Sequence, residues 1–373
     1  MTIPAAAVDD PRFEKAVDRA AAFARIAAIE AILDADLERV DFPRNEWGCC
    51  IGTSKGSLAA FSKAYVYHRE NRQTESRSFP RDPWPGFAPN GPARAVAAEL
   101  SIGGPMLCPV AACATGLTSV IAGADLVARG VCPIALAGGA DASLHPAVAG
   151  SFRRLGVLAK HDPAEPQAAC RPFDANRTGF VPGEAAAVLV LEDVEHAADR
   201  GASWYAEFLA GDTFGDTTGL AQLEERPEGL IRLIGNLMDR AYLRPRDIDY
   251  IGYHGTGTRS NDSIETLAVH GAMSIEALRT IGSSLKGAIG HTLGAAGAVE
   301  LAACALALRD GVAPPTLNLT NPDFECDLEY TPLVAVRRPL RSALKLSLGF
   351  GGHLAAAIIQ RGNRPNRNAV SES

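Results

Sequence analysis

Between Leu100 and Ala124 the chain carries no charged side chain. An uncharged stretch of that length belongs either in a bilayer or in a protein interior. Gly103, Gly104, Pro105, Pro109, Gly116 and Gly123 cut it into pieces too short to span a membrane. Proline removes a helical hydrogen bond, so the stretch reads as a buried loop, strand and helix start rather than one long helix. PMLCPVAAC supplies the strand and ATGLTSVIAGADLVARG the helix. A strand this apolar is buried on both faces, which calls for helices on either side of it and points to an α/β fold.

The neighbouring sequence keeps this rhythm. FEKAVDRAAAFARIAAIEAILD (13–34) is an amphipathic helix, with Phe13, Ala16, Ala20, Phe23, Ile26, Ile29 and Leu33 at helical spacing. WGCCIGTS (47–54), CPIALAGGADA and AAAVLVLED read as further buried strands, and 69–92, rich in Arg, Pro, Ser and Asn, as a long polar loop. The second half repeats the theme. DIDYIGYHG (247–255) is a strand, IETLAVHGA a helix, LRTIGSS a strand, GAAGAVELAACALALRDG a helix and ALKLSLGFGGHLAAAIIQR a strand–turn–strand. The helix ending ARGV at 128–131 is echoed by one ending LRDGV at 308–312. That echo suggests two copies of one α/β unit, 1–203 and 204–373, which share a core because no low-complexity linker parts them.

Composition narrows the class. A length of 373 residues exceeds one ordinary domain, and 47% hydrophobic against 21% charged residues excludes disorder as the main state. A net charge of −7 argues against a general nucleic-acid binder. Eight cysteines without any C-x-x-C spacing are not a disulfide framework. MTIPAAAVDDPRF has neither the basic nor the apolar region of a secretion signal. The expectation is a cytoplasmic protein with reduced thiols and no membrane span.

Four constellations carry chemistry. Cys113 ends the strand and opens the helix, where unpaired N–H groups and the helix dipole favour thiolate and can form an oxyanion hole. The other reading is a buried core cysteine, as expected for Cys108, Cys132 and Cys304. His254 in YHGTGTRSNDSIE is delivered by a strand end into a Gly/Thr loop, with Thr256 and Thr258 on one side and Asp262 and Glu265 at i, i+3 on the next helix. The alternative there is a capped helix start with a satisfied turn histidine. Lys286 and His291 stand in SLKGAIGHTLGAAGAVE, where apolar flanks favour a partly buried, paired ammonium, and Glu300 follows as a partner or a solvated helix residue. LGFGGHL (348–354) is a glycine turn around Phe350, either mobile against a ligand or a plain hairpin. His254 and His291 are 37 residues apart (291 less 254), and Cys113 has no clustered partners, so a metal site lacks local support. No G-x-G-x-x-G or Walker loop is present, which disfavours hydride and phosphoryl transfer.

These motifs resemble those of the β-ketoacyl-acyl carrier protein synthases, the elongating condensing enzymes of the thiolase superfamily. The likeness runs from about residue 13 to residue 361 through VAACATG, RPFDANRTGFVPGE (171–184), HGTGTRSNDSIE (254–265), KGAIGHTLGAAG (286–297) and GFGG (349–352). It implies a thiolase-like fold of two duplicated halves layered α-β-α-β-α, and a Cys-His-His set at Cys113, His254 and His291. By resemblance, Cys113 takes an acyl group from an acyl carrier protein, and the N–H groups of Cys113 and Phe350, at the Gly349 turn, hold the oxyanion. His254 and His291 promote decarboxylation of a malonyl carrier protein, Lys286 pairs with Glu300, and Thr256 and Thr258 contact the malonyl carboxylate or pantetheine arm. No organic cofactor is implied. A homodimer is, with the strand after the Cys-bearing helix pairing across it, or else a heterodimer with another synthase. Lys15, Arg19, Arg153 and Arg154 are candidate contacts for an acidic carrier protein.

Three departures stand out. The family's opening strand, expected near the middle of its sheet, has no counterpart before the 13–34 helix. The final loop has Leu346 and Leu354 where the family has Asn. GEAAAV replaces GEGAG. The first two motivate a second reading, a non-catalytic subunit that shapes chain length or recruits carrier protein. A third reading, a thiolase-like enzyme using coenzyme A thioesters, is disfavoured by GHTLGAAG.

Overall fold

A computed structural model describes residues 18–38, 43–70, 88–160, 163–219 and 226–364. The first half begins with α1 (Arg19–Asp34), capped by the Asp18 carboxylate, which accepts from the Ala20 N–H at 3.0 Å. It continues through β1 (Gly48–Gly52), α2 (Leu58–Glu70), α3 (Gly91–Leu100), β2 (Met106–Leu107), α4 (Thr115–Ala128), β3 (Ile134–Asp141), α5 (Pro146–Leu155), β4 (Ala185–Glu192) and α6 (Val194–Asp199). The second half comprises β5 (Ala206–Gly215), α7 (Glu228–Arg240), β6 (Tyr250–Gly252), α8 (Arg259–Met273), β7 (Ile281–Ser283), α9 (Lys286–Ile289), α10 (Ala296–Asp310), β8 (Val312–Ala313), β9 (Val336–Arg337), β10 (Ser342–Gly349) and β11 (His353–Arg361).

Burial on both faces explains the strands. In β3, Ile134, Leu136 and Ala140 pack into one apolar cluster with α1 and α3, while Ala137 faces the opposite cluster with α4 and α10. In β10, Leu344, Leu346 and Leu348 face outward to the α7–α8 layer, and Ala343, Lys345 and Ser347 alternate toward the other side. The two sheets run β2-β1-β3-β4 and β5-β11-β10-β6-β7. Helices α4 and α10 pack against each other and against strands of both sheets, forming the middle of an α-β-α-β-α sandwich. The duplication extends to fine detail. A 3₁₀ turn precedes each central helix, Ala112–Ala114 before α4 and Leu293–Ala295 before α10. Each turn begins with a non-glycine residue at positive φ, 46° at Ala112 and 51° at Leu293. No helix among the described residues is long and apolar enough to cross a membrane.

Several expectations change. PMLCPVAAC is not one buried strand. Only Met106–Leu107 pair with β1, both side chains are exposed, and Pro105 and Pro109 lack the N–H that a longer ladder needs. Strand β1 pairs directly with β3, so no interior place in the first sheet is vacant. The second sheet carries its fifth strand, β5, at the edge beside β11, and the corresponding place in the first sheet is outside β4. Strand β3 has β1 on one side and β4 on the other, so it cannot pair across a dimer. Helices α2, α3, α5 and α7 and strand β5 were not expected. Arg69 and Glu70 end α2 and Gly91 opens α3, while 71–87 and the helix positions Phe13 and Ala16 lie outside the described residues.

Candidate active site

Cys113 sits in the 3₁₀ turn before α4, not at the end of a strand. Thr115 staples that turn: its hydroxyl donates to the Ala112 carbonyl at 2.7 Å and accepts from the Ala111 N–H at 2.8 Å. The thiol is buried, and burial pushes it up to about 11 against the opposing pull of the Lys55 and Lys286 ammonium charges and the Phe350 N–H. Burial thus favours the thiol, against the direction expected from the helix end.

The end of β10 presses directly on this turn. A Cβ on Gly349 would stand 2.5 Å from the Ala111 oxygen, 3.1 Å from the Ala114 nitrogen and 3.2 Å from the Cys113 nitrogen. Only glycine allows that approach, and it sets the backbone of Gly349 and Phe350 against the Cys113 amide. The Phe350 ring meets Phe152 edge-on, with centroids 6.3 Å apart.

His254 leaves β6 into a loop that two buried carboxylates splint. Glu265 accepts from the His254 N–H at 2.5 Å and the Gly255 N–H at 2.8 Å. Asp262 accepts from the Gly257 N–H at 3.2 Å and from the Phe173 N–H at 2.8 Å. Burial raises both, Glu265 to about 7. The Thr256 and Thr258 hydroxyl oxygens are 2.8 Å apart. His291, also buried, packs its ring edge-on against Phe180 at 5.0 Å and against His254 at 5.3 Å. Its Nδ1 has no hydrogen-bond partner among the described residues. Lys286 is fully buried and donates to Glu300 Oε1 and to the His254 carbonyl, each at 2.5 Å, with its Nζ 3.4 Å from His254 Nδ1. Burial first, and the nearby lysines second, hold both imidazoles well below their ordinary value, so both are neutral at neutral pH. A thiol, converging backbone N–H groups and two neutral imidazoles meet here, a set suited to acyl transfer with an oxyanion or enolate to stabilise.

Comparison with known proteins decides the family. The model for the β-ketoacyl synthase N-terminal domain matches residues 5–197, and that for the C-terminal domain matches 205–320. The chain belongs to the β-ketoacyl synthase family. It is 37% identical over 357 residues to 3-oxoacyl-acyl-carrier-protein synthase 2 of Rhizobium meliloti, covering 94% of this chain and 83% of that one. It is 35% identical over 354 residues to the tetracenomycin polyketide synthase ketoacyl synthase alpha subunit of Streptomyces glaucescens, with 94% and 83% covered. Among solved structures it is similar to a type II polyketide ketosynthase in complex with its acyl carrier protein and bound to the hexaketide. That match has a TM-score of 0.88 at 30% identity and covers 93% of this chain and 86% of that one. The thiolase-like ketosynthase fold follows from these likenesses and from the layered sheets.

The structure of this synthase also draws in residues that the sequence reading passed over. Ser54 and Lys55, just after β1, meet the buried Asp141 at the end of β3. Asp141 accepts from the Ser54 N–H at 3.1 Å, from the Gly294 N–H at 3.0 Å and from the hydroxyls of Ser54 and Ser143. Lys55 donates to Ser54 Oγ at 2.5 Å and Ser143 Oγ at 3.2 Å, and its charge acts on both Cys113 and His291. Arg177, in the RTGF motif, is fully buried. It pairs with Asp323 and, at 3.5 Å, with Asp262, and donates to the carbonyls of Asp174, Thr258 and Arg259. Leu346 and Leu354, in place of the family's Asn, are core residues of the α7–α8 layer.

Proposed function

We propose that this protein is a decarboxylating β-ketoacyl synthase that uses Cys113 as nucleophile, with His254 and His291 as its paired hydrogen-bond donors. The observation that carries the reading is the meeting of a buried thiol, the Gly349–Phe350 backbone and two neutral imidazoles. In the first half-reaction Cys113 Sγ attacks an acyl thioester, the Cys113 and Phe350 N–H groups hold the tetrahedral oxyanion, and the thiol proton leaves on the carrier's departing sulfur. In the second, the malonyl carboxylate departs as carbon dioxide. The freed electron pair becomes an enolate whose oxygen His254 and His291 hold. Its carbon then attacks the acyl thioester, a carbon–carbon bond forms and the Cys113 thiolate is released to take up a proton. Each uncharged imidazole still carries one N–H, and that N–H is the donor that holds the enolate oxygen.

Lys286 and Glu300 position His254, Asp262 and Glu265 hold the loop, and Thr256 and Thr258 receive the malonyl carboxylate or the pantetheine arm. The donor is an acyl carrier protein, as supported by the related ketosynthase solved with its carrier. Of the proposed basic contacts, Arg153 and Arg154 are exposed at the end of α5 and Arg19 is paired with Glu184 at 2.9 Å, while Lys15 lies outside the described residues. The halves divide at 203/204, and the synthase works in the cytoplasm as a dimer of itself or with another synthase. Among the described residues β2 and β4 are the two edges of the first sheet, and β2, whose side chains are exposed, is the one assigned to the dimer pairing. Product belongs to fatty-acid or polyketide-type synthesis. Intact-mass measurement after incubation with an acyl-loaded carrier protein tests the reading. An acyl adduct on the wild type and none on Cys113→Ala is expected. An adduct on both, or on neither with the protein folded, overturns it in favour of another nucleophile or of the non-catalytic subunit.

A further inference from the structure

Strand β10 carries one charged residue into the space between the sheets. Lys345 is fully buried, and its Nζ is surrounded by oxygen: Glu300 Oε2 at 2.8 Å, the Gly252 carbonyl at 3.1 Å, the Tyr253 carbonyl at 3.2 Å and the Leu346 carbonyl. The Glu300 contact is a charge contact rather than an aligned hydrogen bond, since Oε2 lacks a directed donor. Three backbone carbonyls and one carboxylate oxygen are the donor set that a dehydrated monovalent cation takes, because neutral carbonyl dipoles replace water and one anion balances one charge. Here an ammonium tethered to the chain fills that place. The path of its stem is built in as well. A Cβ on Gly252 would lie 2.5 Å from Cys304 Sγ and 3.2 Å from Lys345 Cδ, so glycine at 252 leaves the room the lysine needs.

The cage joins three segments that the proposed reaction uses. Gly252 and Tyr253 lead directly into His254. Leu346 leads along β10 to Gly349 and Phe350. Glu300, on α10, divides its two oxygens between Lys345 and Lys286, which in turn holds the His254 carbonyl. We propose that Lys345 is a positioning residue whose ammonium acts as a permanent internal cation, locking β6, β10 and α10 in the register that sets His254 against the Cys113 turn. The inference rests on the function proposed above. It adds that the site works without a free monovalent ion, because the protein supplies one of its own. A neutral side chain at 345 leaves Glu300 half paired and three carbonyls pointing at one another, an arrangement that a small cation relieves and a large one cannot enter.

The test is Lys345→Ala in the full chain, compared with wild type in potassium, ammonium or choline chloride at equal ionic strength. Malonyl-carrier-protein decarboxylation and thermal unfolding are both followed. In choline, kcat of the variant is expected to fall by about tenfold or more with KM within about threefold of wild type. Potassium or ammonium restores kcat and raises Tm, and wild type responds to none of the three. A variant whose rate and Tm ignore cation identity overturns the inference, whether its activity is high or low. A wild type that itself needs potassium overturns it too. Unfolding is read independently of turnover, so failure of the proposed chemistry and failure of the cage are told apart. If the alanine variant does not fold in choline, Lys345→Ala combined with Glu300→Gln and Lys286→Met removes every charge of the cluster, Lys286 included, since Glu300 also pairs with it. That triple variant is expected to fold without any cation preference in Tm, and a retained preference would again count against the cage.

Discussion

Alanine at Gly349 is the sharpest probe of the site. Its Cβ would lie 2.5 Å from the Ala111 oxygen, whereas ordinary contact begins at 3.4 Å, so the strand end must retreat by about 0.9 Å (3.4 less 2.5). A donor that holds an oxyanion at roughly 2.9 Å would then stand near 3.8 Å, outside hydrogen-bonding range. Loss of one such donor costs about 2.7–4 kcal/mol in the transition state, a factor of roughly 100–1000 in acyl transfer. Overpacking also lowers stability, by about 1–3 kcal/mol. The assay is the rate at which an acyl adduct appears on Cys113 by intact mass, run beside the rate of Cys113 alkylation by iodoacetamide. Alkylation needs no oxyanion, so it should change by less than about threefold while acylation collapses. Acylation within threefold of wild type in a folded variant refutes the oxyanion assignment. Equal losses in both rates move the effect from the oxyanion to the thiol.

Other perturbations follow from the electrostatics. Lys55→Met removes the largest charge that favours a Cys113 thiolate, so iodoacetamide alkylation at pH 8 is expected to slow several-fold, up to about tenfold, with its pH midpoint moved upward. An unchanged profile would place Lys55 outside the thiol's field. Glu265 is raised from 4.5 to about 7, so the folded state binds its proton more tightly and this residue costs stability as pH rises from 4.5 through 7. The Tm of Glu265→Gln should therefore gain on wild type between pH 5 and pH 8, and a parallel pair of curves would contradict the shift. The buried histidines act the other way: their lowered values favour unfolding as pH falls below about 6.5, which urea titrations at pH 7.5 and 5.5 read as a lower midpoint at 5.5 in Glu265→Gln. Arg177→Met strands the buried Asp262 and should cost about 3–5 kcal/mol in urea unfolding. A loss under 1 kcal/mol would mean that Asp262 is protonated in the native state.

Much of this architecture is written in burial pattern. Strand β3 and the β10–β11 hairpin are long apolar runs enclosed on both faces, and such runs are visible in one dimension. EGLIRLIGNLMDR in α7 was equally visible, since Leu230, Leu233, Ile234, Leu237 and Met238 recur at helical spacing, all of them buried. The strand expected before Cys113 failed for a local reason: two prolines and an edge position leave only two residues to pair. In the site, Cys113, His254, Lys286 and His291 were legible because each stands in a glycine-marked loop. Lys55 stood in such a loop too, in GTSKG, and Lys345 was a lone charge in an apolar strand. What either does depends on which distant loops meet it, and spacing along the chain does not encode that. The upward shift of the Cys113 thiol was hidden for the same reason, because burial among segments distant in sequence causes it.

The turn holding Cys113 receives its last neighbour from Gly349 and Phe350, so the two ends of this contact are separated by 237 residues (350 less 113). Translation at about 5–20 residues per second leaves an interval of roughly 10–50 s between them. Throughout that interval a nascent chain exposes the cysteine without the Gly349–Phe350 backbone proposed to hold the oxyanion, and either half folded by itself contains only part of the proposed machinery. Activity therefore switches on only when the β10–β11 hairpin closes on this turn, and a ribosome-stalled product ending before β10 would be inert however well its first half had folded.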